Sequence, residues 1–329
     1  MSFIAREIMP NEAQDFENLA FKTGSVFCSN WFIQILEKDL SSVKKIGVFS
    51  GSNLIGGFCI SEKKKLFFSL IKDPRFAPNC GAFCINESKS QFKRLSFQKA
   101  FVSAIGDYLV NCKALVAHIS LPSNFIDAQP LIWKKLDVRP AFTYRLFLEK
   151  IVKKDLVEIT YTSPDIRRKA FKDPSILIEK GNEKGIEEFL TPIMYSLKKA
   201  KINIEPRELR VIAELSINSP EFSEMYVARS EGLVVASALT IIGNDVCYLI
   251  LGGQLEGHSN AYARLLTSLI ENSKERGVKI FDFEGSMNIS VENYFRQFGG
   301  EIIPYWSVIK SPNLLLRYIR RRQVRSYWS

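Results

Sequence analysis

Residues 278–310 read VKIFDFEGSMNISVENYFRQFGGEIIPYWSVIK, and this stretch decides the fold that we predict for the chain. Its first part, 278–283, is a short apolar run that predicts a β-strand. Gly285-Ser286 ends the strand, and apolar residues at helical spacing then predict a short amphipathic helix. Gly299-Gly300 predicts the end of that helix, because glycine accepts the left-handed conformation that closes many helices. A last strand is predicted over 302–309.

Two acids and one arginine form the densest polar group in this apolar stretch. Asp282 and Glu284 are two residues apart, so on a regular strand both side chains would point to the same face. If that face lines a cleft, one carboxylate could accept the proton of an attacking amine. Arg296 keeps its charge, so it could stabilise an oxyanion but could not act as a base. Alternatively, Glu284 caps the next helix or forms an ion pair with Arg296.

The order of these elements resembles the end of a FemAB-like domain, a branch of the GNAT N-acyltransferase superfamily. In that family a strand ending in Asp-Phe-x-Gly-Ser is followed by a short helix, the motif Phe-Lys-x-x-Phe-Gly-Gly and a closing strand. Here residues 295–300 read Phe-Arg-Gln-Phe-Gly-Gly, so Arg296 replaces the lysine of the family. The resemblance extends back to about Arg139-Pro140. It implies that Arg296 stabilises charge at an acyl carbonyl, with the forked geometry of a guanidinium.

The composition is that of a globular protein. A chain of 329 residues can form two domains that each bury a core, and 46% hydrophobic with 24% charged residues does not indicate disorder. No apolar run reaches the roughly 18 residues that a membrane-crossing helix needs. The first residues, MSFIAREIMPNEAQDFEN, lack the pattern of a signal peptide. We therefore expect a cytoplasmic protein.

Six cysteines lie mostly among apolar residues, which is typical of buried free thiols. Cys80 and Cys84, even with Cys112 and His118, match no zinc signature, and His118 lies in the apolar run ALVAHISL. We therefore expect no metal site.

Residues 312–329 form a basic C-terminal tail. From residue 310 onward the chain carries six basic residues and no acid, which is most of its net charge of +10. Leucine, tyrosine and tryptophan are interleaved with the arginines, as in helices that lie at a membrane surface. We predict that this tail is peripheral to the fold and can contact a membrane surface. The alternative is a tail docked on its own domain.

The rest of the chain predicts two halves. Residues 1–150 read as one unit of mixed strands and helices, and the polar junction 150–155 marks a domain boundary. In the second half, 151–311, a helix pair is followed by an antiparallel three-stranded meander. The meander strands are 221–229, 233–242 and 246–251, with a tight turn predicted at Glu231-Gly232 between the first two. A helix over 260–276 then leads to the strand 278–283.

That crossover helix should place the strands 246–251 and 278–283 side by side and parallel. The order resembles a GNAT domain, in which two such strands split apart and the acyl donor enters the gap. We therefore predict an α+β fold, a mixed sheet with helices, built from tandem GNAT-like domains. The first domain is the degenerate one.

The loop 252–260, GGQLEGHSN, joins the meander to the crossover helix. Ordinary GNAT enzymes hold the pyrophosphate of coenzyme A here on backbone N–H groups. The glycine pattern is only partial, and Glu256 would repel phosphate. We favour a helix start capped by Ser259 or Asn260. The resemblance also makes Asn260 a candidate substrate-binding residue, because FemAB-like proteins often have an asparagine near this helix start.

A basic segment, Arg167-Arg168-Lys169, resembles a basic stretch of the family. It could contact an anionic substrate such as a sugar nucleotide or a lipid diphosphate, or it could be a solvated helix end that complements the helix dipole. Tyr248, in the strand 246–251, completes the candidate substrate-binding residues.

Two functions are implied by the resemblance. The first is an N-acyltransferase that moves an acyl or aminoacyl group onto an amine of a cell-envelope or sugar precursor, with Asp282, Glu284 and Arg296 as catalytic residues. The resemblance implies no permanently bound cofactor. It implies acyl-CoA or aminoacyl-tRNA as co-substrate, and a small-molecule, lipid-linked or sugar-linked acceptor.

Peptidoglycan-bridge enzymes of the family use aminoacyl-tRNA and several have a long helical arm, for which 185–216 is too short. The second is a catalytically lapsed binding module for a glycan or nucleotide-sugar, which Arg296 and the missing phosphate cradle favour.

Overall fold

The computed structural model describes residues 2–39, 42–65, 68–150, 163–243, 245–284, 287 and 289–312. These residues divide into two compact units. Unit 1 comprises residues 2–141 and 304–312, and unit 2 comprises residues 142–303. The predicted domain boundary at residue 150 lies a few residues beyond this division. The predicted basic tail lies outside the described residues except for Pro312.

Unit 1 is built from strands and helices in alternation. In chain order they are β1 (Ile4–Glu7), α1 (Ala13–Thr23), α2 (Asn30–Asp39), β2 (Val43–Ser50), β3 (Asn53–Lys65), β4 (Phe68–Lys72), β5 (Phe83–Cys84), α3 (Gln91–Asn111), β6 (Val116–Leu121), α4 (Gln129–Trp133) and β7 (Asp137–Phe147), whose second half belongs to unit 2. Short 3-10 turns lie at Pro10–Glu12 and Val26–Cys28.

Unit 2 contains the remaining elements. They are α5 (Pro164–Phe171), β8 (Leu177–Lys180), α6 (Ile186–Lys199), α7 (Pro206–Asn218), β9 (Ser223–Ser230), β10 (Leu233–Gly243), β11 (Val246–Gln254), α8 (Ser259–Glu275), β12 (Ile280–Asp282), α9 (Ile289–Arg296) and β13 (Glu301–Lys310), whose end belongs to unit 1. Short 3-10 turns lie at Leu148–Lys150 and Glu183–Gly185.

The strands of unit 1 lie in the order β1-β2-β3-β4-β6-β13, with β5 beside β3. The first four are antiparallel neighbours, and α3 then crosses over to make β6 parallel to β4. The end of β13, from Trp306 to Lys310, pairs antiparallel with β6. Helix α3 packs Phe101 and Ile105 into the core beside Phe58 of β3.

The strands of unit 2 lie in the order β7-β12-β11-β10-β9-β8. The strands from β8 to β11 are antiparallel, β12 is parallel to β11, and β7 pairs antiparallel with β12. Helix α8 is the crossover and buries Leu265 and Leu266 in the same core as Phe281 and Phe283. The predicted α+β architecture and the parallel pair reached through a helix are both confirmed.

Local predictions differ in detail. The turn Glu231-Gly232 is present, with φ of 51° and 79°, the left-handed values that a two-residue hairpin turn needs. Strand β1 and helix α1 were not predicted. In the described part of the chain, no helix is long and apolar enough to cross a bilayer.

Candidate functional site

The two parallel strands of unit 2 separate after Tyr248 and Asp282. These residues are the last pair in register, and β11 continues to Gln254 while β12 ends at Asp282. Within the described residues, no backbone hydrogen bond joins 249–254 to the chain after Asp282. This edge of β11 therefore has N–H and C=O groups that a bound ligand could pair with.

A β-bulge on β11 accompanies the separation. Leu239 of β10 pairs with Leu251 and Thr240 pairs with Leu249, so Ile250 is left out of the ladder. A bulge bends its strand and increases the local twist. The bulge lies at Ile250, directly beyond the last paired residues of the two strands.

Asp282 is a buried carboxylate, 3% exposed, that holds the turn after β12 in place. Oδ1 accepts hydrogen bonds from the Thr143 hydroxyl at 2.5 Å and from the backbone N–H of Glu284 at 2.8 Å. Oδ2 accepts from Nε of Arg145 at 2.6 Å. Because both oxygens are engaged by fixed donors, Asp282 is better suited to position its neighbours than to meet a substrate.

Glu284 has the opposite environment. Its φ of 59° is left-handed, an uncommon conformation for a residue other than glycine, and the bond from its N–H to Asp282 helps to hold it. Its Oε1 is buried and has no hydrogen-bond partner among the residues that the structure describes. Burial, followed by the charge of Asp282, raises the pKa of the Glu284 carboxyl well above its usual range, and Arg145 opposes the rise. Such a carboxyl can exchange a proton closer to neutral pH than an ordinary glutamate.

The predicted arrangement of the two acids is therefore wrong. The strand ends at Asp282, so the alternation that would place Glu284 on the same face no longer applies. Glu284 also forms no ion pair with Arg296 within the described residues.

Tyr248 lies opposite Asp282 in the register of the parallel pair. Burial first, and then the charges of Asp282 and Glu284, raise the pKa of its phenol, while Arg145 lowers it. The phenol therefore keeps its proton and can act as a hydrogen-bond donor.

Arg296 does not lie where the sequence analysis placed it. It ends α9 with a side chain 61% exposed, and it contacts Glu292 (Nε to Oε1, 3.2 Å) and Asn293. The arginine beside Asp282 is Arg145 on β7, which the sequence analysis missed. Nothing in the local sequence could have revealed it, because 137 positions separate the two residues.

The surroundings of Arg296 form a shallow polar depression of about 440 Å³, lined by Ser163, Asn293, Arg296 and Gln297. These side chains largely satisfy one another. Oγ of Ser163 donates to Oε1 of Gln297 at 3.3 Å, and Nε2 of Gln297 donates to the carbonyl of Asn293 at 3.0 Å.

The basic segment lies on α5 and is paired within its own helix. Arg168 and Lys169 contact Asp165 at 2.6 and 2.7 Å. The side chain of Arg167 lies outside the described residues. These contacts do not test whether the segment binds an anionic substrate.

The start of α8 also differs from its prediction. His258 occupies the N-cap position without a side-chain cap. Neither Ser259 nor Asn260 caps the helix, and Asn260 lies half-buried in the first turn.

Two tyrosines from the neighbouring helices lie near the separated strands. The phenol of Tyr262 on α8 lies so close to Gly252 of β11 that a Cβ there would come within 2.1 Å of its oxygen. The ring of Tyr262 stacks on Tyr294 of α9 with centroids 5.6 Å apart. The glycine at 252 is therefore required by close approach of an aromatic side chain.

Several buried polar atoms of unit 2 have no partner within the described part of the chain. Besides Oε1 of Glu284, they include the Tyr294 hydroxyl, Oε1 of Gln254 and Nε of Arg264. They belong to α9, β11 and α8, the elements that flank the separated strands. Because buried polar groups in proteins are normally hydrogen-bonded, their presence here is what a polar ligand site would require.

No protein-family model matches the sequence, and no curated protein matches it. Several solved structures are similar at low identity. FemX aligns with a TM-score of 0.63 at 10% identity, covering 96% of this chain and 99% of FemX. The C-terminal domain of a proposed lysylphosphatidylglycerol synthetase from Agrobacterium fabrum gives 0.58 at 11% identity, covering 97% and 98%. A tandem GNAT protein from the clavulanic acid biosynthesis pathway gives 0.51 at 13% identity, covering 95% and 99%.

These similarities show that the chain has the fold of a tandem GNAT protein. Within that class, the fold is similar to FemX over nearly the whole of both chains. The FemAB-like GNAT fold that residues 278–310 predicted is thereby confirmed.

Proposed function

We propose that unit 2 is an N-acyltransferase that moves an acyl or aminoacyl group to an amine where β11 and β12 separate. The observation that carries this proposal is Glu284, a carboxyl with a raised pKa and a buried oxygen that has no partner within the described part of the chain. It lies two residues beyond Asp282, which faces Tyr248 in the register. The similarity of the fold to FemX and to a tandem GNAT protein supports the class of reaction.

The chemistry needs one proton acceptor and one proton donor. An amine arrives as ammonium and must lose a proton before its nitrogen attacks the carbonyl carbon of the donor, and ionised Glu284 would accept that proton. The new C–N bond forms and the C–S or C–O bond of the donor breaks. The Tyr248 phenol would give a proton to the departing thiolate or alkoxide.

The tetrahedral intermediate carries a negative oxygen, which needs hydrogen-bond donors. We assign this role to backbone N–H groups along 249–253, on the edge of β11 that β12 leaves unpaired; the N–H of Gln254 already donates to Oγ of Ser196 at 2.9 Å. Arg296 is less suited to it, because its guanidinium contacts Glu292 and Asn293 on α9.

Acyl-CoA and aminoacyl-tRNA both remain donors to test. Glu256 in the loop before α8 places a negative charge, paired with Lys199 at 3.8 Å, near where a pyrophosphate would bind, and this favours a donor without one. The proposed acceptor is an amine of a cell-envelope or sugar precursor, a class supported by the similarity to FemX and the proposed lysylphosphatidylglycerol synthetase.

The test is a matrix of donors and amines with mass-spectrometric detection of the acylated product. Acetyl-CoA, longer acyl-CoAs and charged tRNA are each offered with amino sugars, nucleotide-sugar peptides and aminolipids. Wild-type protein should form one product, and Glu284→Gln should lose roughly 100-fold or more of the rate. Glu214→Gln, an exposed acid on α7, is the matched control and should keep full activity.

Full activity in Glu284→Gln would overturn the assignment of Glu284. A second function, a binding module for a glycan or nucleotide-sugar, is favoured by the placement of Arg296 away from the acids. It would be supported if such a ligand raised the melting temperature of the wild-type protein while no donor and amine pair gave product.

A further inference from the structure

An exposed apolar patch lies on unit 1, around the first turns of α3 and on and before α4. It consists of Phe92, Leu95, Ile126, Ile132 and Trp133, all exposed. Phe92 is 78% and Trp133 67% exposed. Scattered surface apolar residues are ordinary, but a concentration of large ones marks an interaction site.

Lys99 joins the parts of this patch. Phe92, Leu95 and Lys99 recur at helical spacing and lie on one face of α3. The ammonium of Lys99 lies 5.0 Å from the centroid of the Trp133 ring and 2.6 Å from Oδ2 of Asp127, the neighbour of Ile126. The apolar side chains therefore belong to one continuous surface.

The same surface is basic. Lys89, Lys93, Arg94 and Lys135 form no ion pair within the described residues, and between residues 86 and 106 the one acid is Glu87. The nearby acids Asp107 and Asp127 are already paired with Lys134 and Lys99. The patch therefore presents aromatic and aliphatic side chains among positive charges that have no acidic partner.

We propose that this surface docks on an anionic lipid bilayer. Phenylalanine, leucine and tryptophan enter the interfacial region, while lysine and arginine contact the phosphates above it. A protein partner fits less well, because protein interfaces are depleted of lysine and of charge at their centre, and here the bases are interleaved with the apolar residues. The inference does not depend on the proposed transferase activity.

The experiment measures sedimentation of the full chain with vesicles of phosphatidylcholine alone or with about one third phosphatidylglycerol. The wild-type protein should bind the anionic vesicles, and salt should weaken the binding because exposed charges are screened. Phe92→Ser with Trp133→Ser should lower the partition coefficient roughly tenfold or more. Lys93→Gln with Arg94→Gln should lower the partition onto the anionic vesicles roughly tenfold or more and leave that onto phosphatidylcholine unchanged.

Phe21→Ser with Leu233→Ser is the matched control, because both residues are exposed apolar side chains on elements that do not form the patch, α1 and β10, and it should bind like wild type. The basic tail is present in every variant, so its contribution cancels in the ratios. Equal partition of the Phe92/Trp133 variant and the control would overturn the proposal. So would a dimer, seen by light scattering, that this variant abolishes without any change in lipid binding, since the patch would then bind a second copy.

Discussion

Unit 1 and unit 2 contain the same parallel strand pair, reached in each case through a long crossover helix. In unit 1 residues 70–72 of β4 pair with 116–118 of β6, and in unit 2 residues 246–248 of β11 pair with 280–282 of β12. The pairing is equally short in both units, so both strand pairs separate early. The two units differ in the chain beyond the paired residues.

In unit 1 the loop after β4 closes the gap between the two separating strands. After β4 ends, the carboxylate of Asp73 accepts the N–H of Ser120 at 3.0 Å. Further along the same loop, Cys80 donates its N–H to the Ser120 carbonyl at 2.9 Å, and its carbonyl accepts from the N–H of Cys59 at 2.8 Å. The loop thus bridges β3 and β6.

The comparison separates two kinds of buried acid. Burial raises the pKa of Asp73 to about 8 although Ser120 donates to it, and burial also raises that of Glu284. Both carboxyl oxygens of Asp73 accept from the N–H of Ser120 on β6, whereas Oε1 of Glu284 has no partner among the described residues. A raised pKa alone therefore does not identify a functional site, and the proposal for Glu284 rests on the unpartnered oxygen as well.

The largest expected effect is on turnover. Glu284→Gln should lower kcat/KM about 1000-fold, within the range for loss of a general base. Asp73→Asn should change it less than about twofold, because its loop fills a separation that takes no substrate. Rates are compared at matched folded fraction, measured by circular dichroism. Similar losses of kcat/KM in Glu284→Gln and Asp73→Asn would contradict the proposed difference in function between the two buried acids.

The second prediction concerns the arginine that unit 2 has beside its acid. Within the described residues Asp73 forms no ion pair, whereas Asp282 contacts Arg145. Arg145→Gln leaves the buried Asp282 charge uncompensated and should cost about 3 kcal/mol of unfolding free energy. Urea denaturation measures this as a lower midpoint at unchanged slope.

The control for Arg145 is Arg229→Gln, which removes an arginine paired with Glu179 and Glu188 at the surface and should cost under about 1 kcal/mol. Asp282→Asn combined with Arg145→Gln should recover part of the loss. Equal costs for Arg145→Gln and Arg229→Gln would mean that the Asp282 pair is no more than a surface contact.

The sequence predicted the structures of the two units only in part. The strand, crossover helix and strand of unit 2 were readable because periodicity and turn residues are local signals, and the Glu231-Gly232 turn shows how reliable they are. The loop that closes unit 1 by bridging β3 and β6 could not be predicted from the sequence. It depends on backbone bonds of Cys80 to Cys59 and Ser120, far apart in the chain, and such bonds leave no trace in side-chain pattern.

The site was readable in composition but not in geometry. Asp282 and Glu284 were identified as a pair, yet the left-handed conformation of Glu284 could not be inferred from a strand pattern. Arg145 was missed because antiparallel pairing of β7 with β12 brings it to Asp282. Asp282 has its hydrogen-bond partners, and Oε1 of Glu284 has none among the described residues. This difference arises from the tertiary structure and not from a local sequence pattern.

The third prediction is a pH dependence of stability. A carboxyl whose pKa is raised by folding binds its proton more tightly in the folded than in the unfolded state, so stability falls as pH rises through that window. For Asp73 the window runs from about 4 to about 8. Asp73→Asn keeps an acceptor for Ser120 but lacks this loss, so its melting temperature relative to wild type should rise between pH 4 and 8 and then level off.

Glu284→Gln should change in the same direction. The difference between its melting temperature and that of the wild type should increase as pH rises, because burial raises the pKa of Glu284 too. Melting curves from pH 4 to 10 measure both variants. A difference from wild type that shrinks with rising pH would show that these carboxyls are ionised more easily in the folded protein than their burial implies.

The smallest expected effect belongs to Arg296. Its side chain is 61% exposed and its ion pair with Glu292 is a contact between neighbouring turns of α9, so Arg296→Ala should cost at most about 0.5 kcal/mol of stability. Turnover should fall less than about threefold, because Arg296 does not contact Asp282 or Glu284. Removal of a donor to the oxyanion would instead lower turnover roughly 100-fold. A loss of that size in Arg296→Ala, restored by Arg296→Lys, would move the acyl carbonyl toward α9 and away from the backbone edge of β11.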